Sequence, residues 1–136
     1  MEVKRVVLTL SREEENTYTA ETSFGPLKVG EQGYRPMELI LVALAGCSGV
    51  DVANILRKKR QKVKDIRIEV LGTRREEHPR IYQHIKLKYI IVGEGIDPKA
   101  VDQAIELSVN KYCSVYAMLV KSVPIEVERE IWEEKG

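Results

Sequence analysis

Cys47 and Cys113 are the side chains with the most chemistry available to them. A thiolate can attack the O–O bond of a hydroperoxide and become a sulfenic acid, which a second thiol converts to a disulfide. That sequence needs two thiols within a few ångströms and an apolar pocket. The attacking thiolate usually also needs a cation beside it. The alternative is that both are inert small hydrophobes, because free cysteine is among the most buried residue types. The two positions fit neither a CxxC motif nor a zinc-knuckle spacing. His78 and His84 are the only histidines, a thin donor set for zinc. No HExxH, GxSxG or glycine-rich phosphate loop occurs, so neither a metal nor a resident cofactor is expected.

Cys47 lies in ELILVALAGCSGVDVANILRKKRQ, residues 38–61, with Asp51 four residues on. Apolar surroundings raise a thiol pKa, and an ionised Asp51 raises it further. Cys113, beside Lys111 and at a helix start, is by the same local logic the easier thiol to ionise.

The elements that must position these residues follow from pattern. Strands are expected over 3–10, 17–24 and 27–29, the first anchored by Val3, Val6 and Leu8. Pro36 suits a first helical position and Glu38 the first turn. The helix is expected to run to about Gln61. Its middle is apolar on all sides, which predicts burial on all sides. Ala43, Gly46, Ser48 and Gly49 would let a second subunit approach closely. Leu44, Val50 and residues of the partner chain are expected to border an apolar pocket at Cys47. Strands follow at 65–72 and 81–92. In the second, Ile81, Ile85, Leu87, Tyr89 and Ile91 share one face, with Gln83 as the exception, and Tyr82, His84, Lys86 and Lys88 share the other. Asp97-Pro98 caps a helix carrying Val101, Ala104, Ile105 and Ser108 and reaching about Tyr112. A further helical turn follows Cys113, and a last strand spans 125–131. The order predicts an α+β domain with a largely antiparallel sheet.

The chain has 136 residues, the size of one domain, 1–136. Its formal net charge of +1 provides no basic field for a nucleic acid. The basic run from Arg57 to Lys64 reads as a solvated helix end. MEVKRVVLTL mixes acid and base and does not read as a signal peptide. Ser48, Asp51 and Asn54 interrupt the apolar run, which is short and polar for a membrane span. A cytoplasmic protein without membrane or nucleic-acid partners is expected.

RPMELILVALAGCSGVDVANILRKKRQ, followed by KYCSVYAML, resembles the family of osmotically inducible protein C and organic hydroperoxide resistance protein (OsmC/Ohr). The matching residues are Pro36, Glu38 and Leu39 at the helix entry, Ala45-Gly46-Cys47, and Cys113-Ser114-Val115. The PMEL…DV…ILRKKRQ style resembles a less characterised OsmC-like branch. The resemblance implies an OsmC-like fold, with largely antiparallel sheets wrapped around long central helices in an intertwined homodimer. It also implies a thiol peroxidase acting on organic hydroperoxides in oxidative-stress defence. Cys47 would attack, Cys113 would resolve, and an external dithiol would reduce the disulfide.

Two positions depart from the family pattern. There a glutamate directly after the helix-opening proline holds an arginine against the thiolate. Here that place is Met37, and the acid is Glu38, about 100° further round a helix. Arg35 is the arginine nearest the entry, and Arg12 lies in the first hairpin turn. Glu38 and Arg35 join the two cysteines as candidate catalytic residues, with the family order of Cys47 first. The alternative from another functional class is a non-catalytic OsmC-like dimer that binds a small hydrophobic ligand in the interfacial pocket.

Overall fold

A computed structural model describes residues 1–136, which form two compact units, Met1–Ile40 and Leu41–Gly136.

The first unit holds a three-stranded antiparallel sheet in the order β1 (Val7–Leu10), β2 (Thr17–Glu21), β3 (Pro26–Gly30). β2 stops before the expected Phe24 because Thr22 turns the chain. Its Oγ1 donates to the Gly25 carbonyl and accepts from the Phe24 and Gly25 N–H groups, a side-chain-closed turn. β1 begins four residues later than expected. Val3 and Val6 precede it exposed, as are all four of its own residues. It is an edge strand paired only to β2, so in this chain those apolar residues anchor nothing. Gly30 has a φ of +130°, and a Cβ there would lie 2.3 Å from the Asn16 carbonyl oxygen. This strand end therefore admits only glycine.

Helix α1 spans Pro36–Lys58, 23 residues or about 34 Å. It stops short of Gln61 because Arg60 turns left-handed (φ +56°) and the Gln61 N–H returns to the Leu56 carbonyl at 3.0 Å, a Schellman-type closure. By length and composition α1 could cross a membrane. Its burial runs along one stripe, Leu44, Ser48, Val52 and Leu56, at the i, i+4 spacing of a single helix face. The expected burial on all sides is absent from this chain. Val42 and Val50 remain 63% and 72% exposed, because one packed layer covers one stripe.

In the second unit β4 (Lys62–Arg74), β5 (Tyr82–Glu94) and β6 (Ile125–Glu133) form the second sheet in that order. β4 is antiparallel to β5, and β6 is parallel to it, so a helical crossover must join β5 to β6. Ile85, Leu87, Tyr89 and Ile91 are fully buried on one face. The other face carries the ion pairs Lys86–Glu128 and Lys88–Glu130, with His84 3.5 Å from Glu126 beside them, partly exposed and individually worth little. The alternation expected from Ile81 fails at its start. Ile81 is exposed and Tyr82 is buried. The β4–β5 register slips by one residue at Thr73/Arg74, where Gln83 is left between paired His84 and Tyr82. Such a bulge reverses the faces on one side of it, so Tyr82 turns inward against Gly72, whose missing side chain makes the room.

The crossover is α2 (Pro98–Leu107), a π turn (Ser108–Tyr112) and α3 (Ser114–Leu119). Asp97 caps α2, accepting from the Lys99 N–H at 3.0 Å. Ala100, Val101, Ala104 and Ile105 form its buried face. The result is a mixed α+β fold of two three-stranded sheets and three helices. The basic residues Arg57 to Arg60 are exposed, as a solvated helix end should be.

Candidate functional site

Cys113 sits where the helix changes pitch. After Leu107 the backbone widens to the π turn, and the Cys113 N–H reaches back five residues to the Ser108 carbonyl at 2.7 Å. π turns frequently mark functional sites. Cys113 then turns extended (φ −77°, ψ 101°) and caps α3, its sulfur accepting from the Tyr116 N–H at 3.3 Å. It is buried, whereas Cys47, on the middle of α1, is half-buried. The two thiols are close enough for Cys47 to raise the Cys113 pKa.

The Cys113 thiol is pushed up to about 11. Burial is the main cause, and Cys47 and Asp51 add to it against the Tyr116 N–H. The local sequence reading that Cys113 ionises more easily is overturned. Proximity in sequence to Lys111 does not help, because that ammonium lies over the Tyr112 ring, 5.2 Å from its centroid. None of the groups acting on Cys113 is a cation. At neutral pH Cys113 is therefore a neutral S–H.

Beside the thiols runs a chain of hydroxyls that sequence reading did not identify as a site. Ser48, the residue after Cys47, is 2.5 Å from the Tyr89 hydroxyl and 2.7 Å from Ser108 Oγ. The Ser108 hydroxyl donates to Asp51 Oδ2 at 3.0 Å. Each hydroxyl has one hydrogen, so the carboxylate fixes the direction of the whole chain. Ser108 has given its hydrogen to Asp51 and must accept from Ser48. Ser48 in turn accepts from Tyr89. The Tyr89 phenol is pushed up to about 12, burial outweighing the Ser48 bond, which keeps it a donor. Asp51 also borders a cavity of about 410 Å³, with Ile55, Leu107 and Tyr112 as apolar wall and Lys58 and Lys59 as cations. That volume lies within the range of small-molecule sites.

Glu38 and Arg35 belong to the first unit. Glu38 is in the first turn of α1, and Arg35 precedes it, its carbonyl accepting from the Leu39 N–H at 3.0 Å. Both are exposed. No group of three or more histidine, cysteine or carboxylate side chains is arranged to hold a metal ion.

The family model described as OsmC-like protein matches residues 29–128. Protein YhfA of Escherichia coli is 44% identical over 102 residues, covering 75% of this chain and 76% of that protein. A hypothetical protein from Aquifex aeolicus has a crystal structure that superposes with a TM-score of 0.94 at 50% identity, covering 99% of this chain and 100% of that one. An OsmC-like protein from Mycoplasma pneumoniae superposes at 0.81 with 15% identity, covering 96% and 98%. The organic hydroperoxide resistance protein OhrB of Bacillus subtilis superposes at 0.63 with 12% identity, covering 94% and 98%. The last two identities are so low that they speak for the fold alone.

Proposed function

The chain belongs to the OsmC-like protein family, in a branch with YhfA, and from the pairing of its two thiols we propose that it is a peroxidase reducing organic hydroperoxides in cytoplasmic oxidative-stress defence. Family membership supports a peroxide-related role. The name of OhrB points the same way for that protein, and the name YhfA points nowhere. The observation that carries the proposal is the nearness of half-buried Cys47 to buried Cys113, close enough for Cys47 to raise the Cys113 pKa, on segments tied by the Ser48–Ser108 bond.

The steps use this chain's own groups. The Cys47 thiolate attacks the distal peroxide oxygen, the O–O bond breaks, and the alkoxide leaves as alcohol after taking a proton. Cys113 stays neutral through this step, its proton held by burial. Cys47 is now a sulfenic acid. The Cys113 sulfur displaces its hydroxyl, water leaves with the Cys113 proton, and a Cys47–Cys113 disulfide remains. An external dithiol reduces it by two exchanges and departs oxidised. No resident cofactor enters. Arg35 and Glu38 are the candidates for a further pair acting on the Cys47 thiolate. A second copy of the chain fits the exposed apolar positions of α1 and β1, as obligate interfaces are apolar.

A second reading has its own support. Met37 replaces the family's glutamate, and no cation acts on Cys113. Those facts favour a non-catalytic dimer that binds a small hydrophobic ligand. The deciding experiment follows cumene hydroperoxide loss against dithiothreitol or dihydrolipoamide, with hydrogen peroxide as comparison. Peroxidase activity predicts a faster organic substrate and no turnover by Cys47→Ser. Cys113→Ser should give one oxidation of Cys47 without a disulfide. Equal background rates for wild type and Cys47→Ser would leave the binding dimer as the better account.

A further inference from the structure

Ser108 is joined to both thiol-bearing segments at once. Its carbonyl holds the Cys113 N–H at 2.7 Å, and its hydroxyl lies 2.7 Å from that of Ser48, the residue bonded to Cys47. Both serines are fully buried. A buried hydroxyl hydrogen without an acceptor costs about 1–3 kcal/mol, and Ser48, accepting from Tyr89, has only Ser108 to donate to. Asp51 takes the Ser108 hydrogen, and Tyr89 supplies one to Ser48. The bond therefore has a single polarity and a single geometry. α1 and the π turn cannot slide past one another without breaking it.

We propose that Ser48 and Ser108 are positioning residues for the thiol pair, their mutual bond setting how closely the Cys47 and Cys113 sulfurs approach, with Asp51 locking the bond in one direction. The inference rests on the two-thiol reading above, but it concerns disulfide formation and does not require any peroxide to be a substrate. A disulfide tolerates a narrow Cα separation, about 4.4–6.8 Å. Small relative shifts of the two segments thus change the effective concentration of one thiol at the other steeply.

The test equilibrates the full-length protein at neutral pH with oxidised and reduced dithiothreitol. The two protein thiols are oxidised to a disulfide as one dithiothreitol disulfide is reduced to its dithiol, and the ratio is read by thiol alkylation and mass spectrometry. Ser48→Ala and Ser108→Ala should each lower the effective concentration about tenfold, about 30 mV for this two-electron couple. Ser48→Ala/Ser108→Ala should lower it no further than the worse single variant, because both singles remove the same bond. A serine pair that only supports the fold would lower the unfolding midpoint and leave the thiol equilibrium of the folded protein unchanged. That result overturns the proposal, as does additivity in the double variant or a wild type that forms no disulfide. If the serine variants do not fold, Asp51 decides, since it lies at a cavity rim. Asp51→Ala should weaken the disulfide about threefold and Asp51→Asn, which keeps an acceptor oxygen, should restore it. Equal values for wild type and Asp51→Ala, or equal loss in Ala and Asn, would overturn it. Loss of peroxidase activity with an intact thiol equilibrium would instead count against the function proposed above and leave this inference standing.

Discussion

The Tyr89 hydroxyl lies 2.5 Å from Ser48 Oγ and joins the middle of the second sheet to the middle of α1. Both groups are out of reach of water, so losing either has a calculable sign. Ser48→Ala orphans the Tyr89 O–H, a buried donor, at about 1–3 kcal/mol. Tyr89→Phe removes the donor together with its need, leaving Ser48 short of one incoming bond, at about 1 kcal/mol. Urea denaturation should rank Ser48→Ala as the more destabilised of the two. The reverse order would mean that Ser48 is not the acceptor.

Alkaline pH should unfold the protein by a defined route. Cys113 is pushed from 9.0 up to about 11 and Tyr89 from 10.0 up to about 12. Each folded group keeps a proton that the unfolded chain has released between those two values. Stability is therefore whole below the lower value and falls as pH rises through the window. The Cys113 window opens first. Cys113→Ala should flatten the fall in denaturation midpoint between about pH 9 and about pH 11, and a slope equal to wild type would contradict the assignment.

Gly30→Ala should be far more harmful than Gly95→Ala. Both glycines have positive φ, +130° and +59°. At Gly95 a methyl would meet nothing within 4 Å, whereas at Gly30 it would meet the Asn16 carbonyl oxygen. The left-handed region costs an alanine about 1–2 kcal/mol. The conformation of Gly30 costs about 1–3 kcal/mol before any clash. Comparing the two unfolding midpoints checks this.

Light scattering at micromolar concentration should return twice the chain mass if a second copy covers the exposed stripe of α1. Val42→Glu and Val50→Glu, each placing a charge on that stripe, should convert the species to monomer. A wild-type monomer would remove the homodimer from the proposal.

Strand and helix order was legible in the sequence because period and punctuation carry it. Asp97-Pro98 marked α2, and Pro36 marked α1. Element ends were less legible, since they depend on single hydrogen bonds, such as that of Thr22 or the turn at Arg60. The outward Gln83 on an apolar face was a signal of the bulge, but one polar residue does not say where a register slips. At the site, the two cysteines stood out by type. Their hydroxyl partners did not, although the signal existed. Ser48, Tyr89 and Ser108 each put one polar atom at a core position on a different element, and only the fold brings the three together. The ionisation of Cys113 was misread because Lys111 is near in sequence while its ammonium turns to Tyr112.

The π turn takes up a residue of chain length at the site. A π turn carries one residue more than the α-helical turn it replaces. Deleting one of residues 109–112 would turn the five-residue return from the Cys113 N–H to the Ser108 carbonyl into an ordinary four-residue one and leave Cys113 in phase with α2. The extra residue is thus absorbed within the turn and does not rotate the cysteine away from its partner. For this protein an alignment gap of one position before the second cysteine is no sign that the thiol pair is lost.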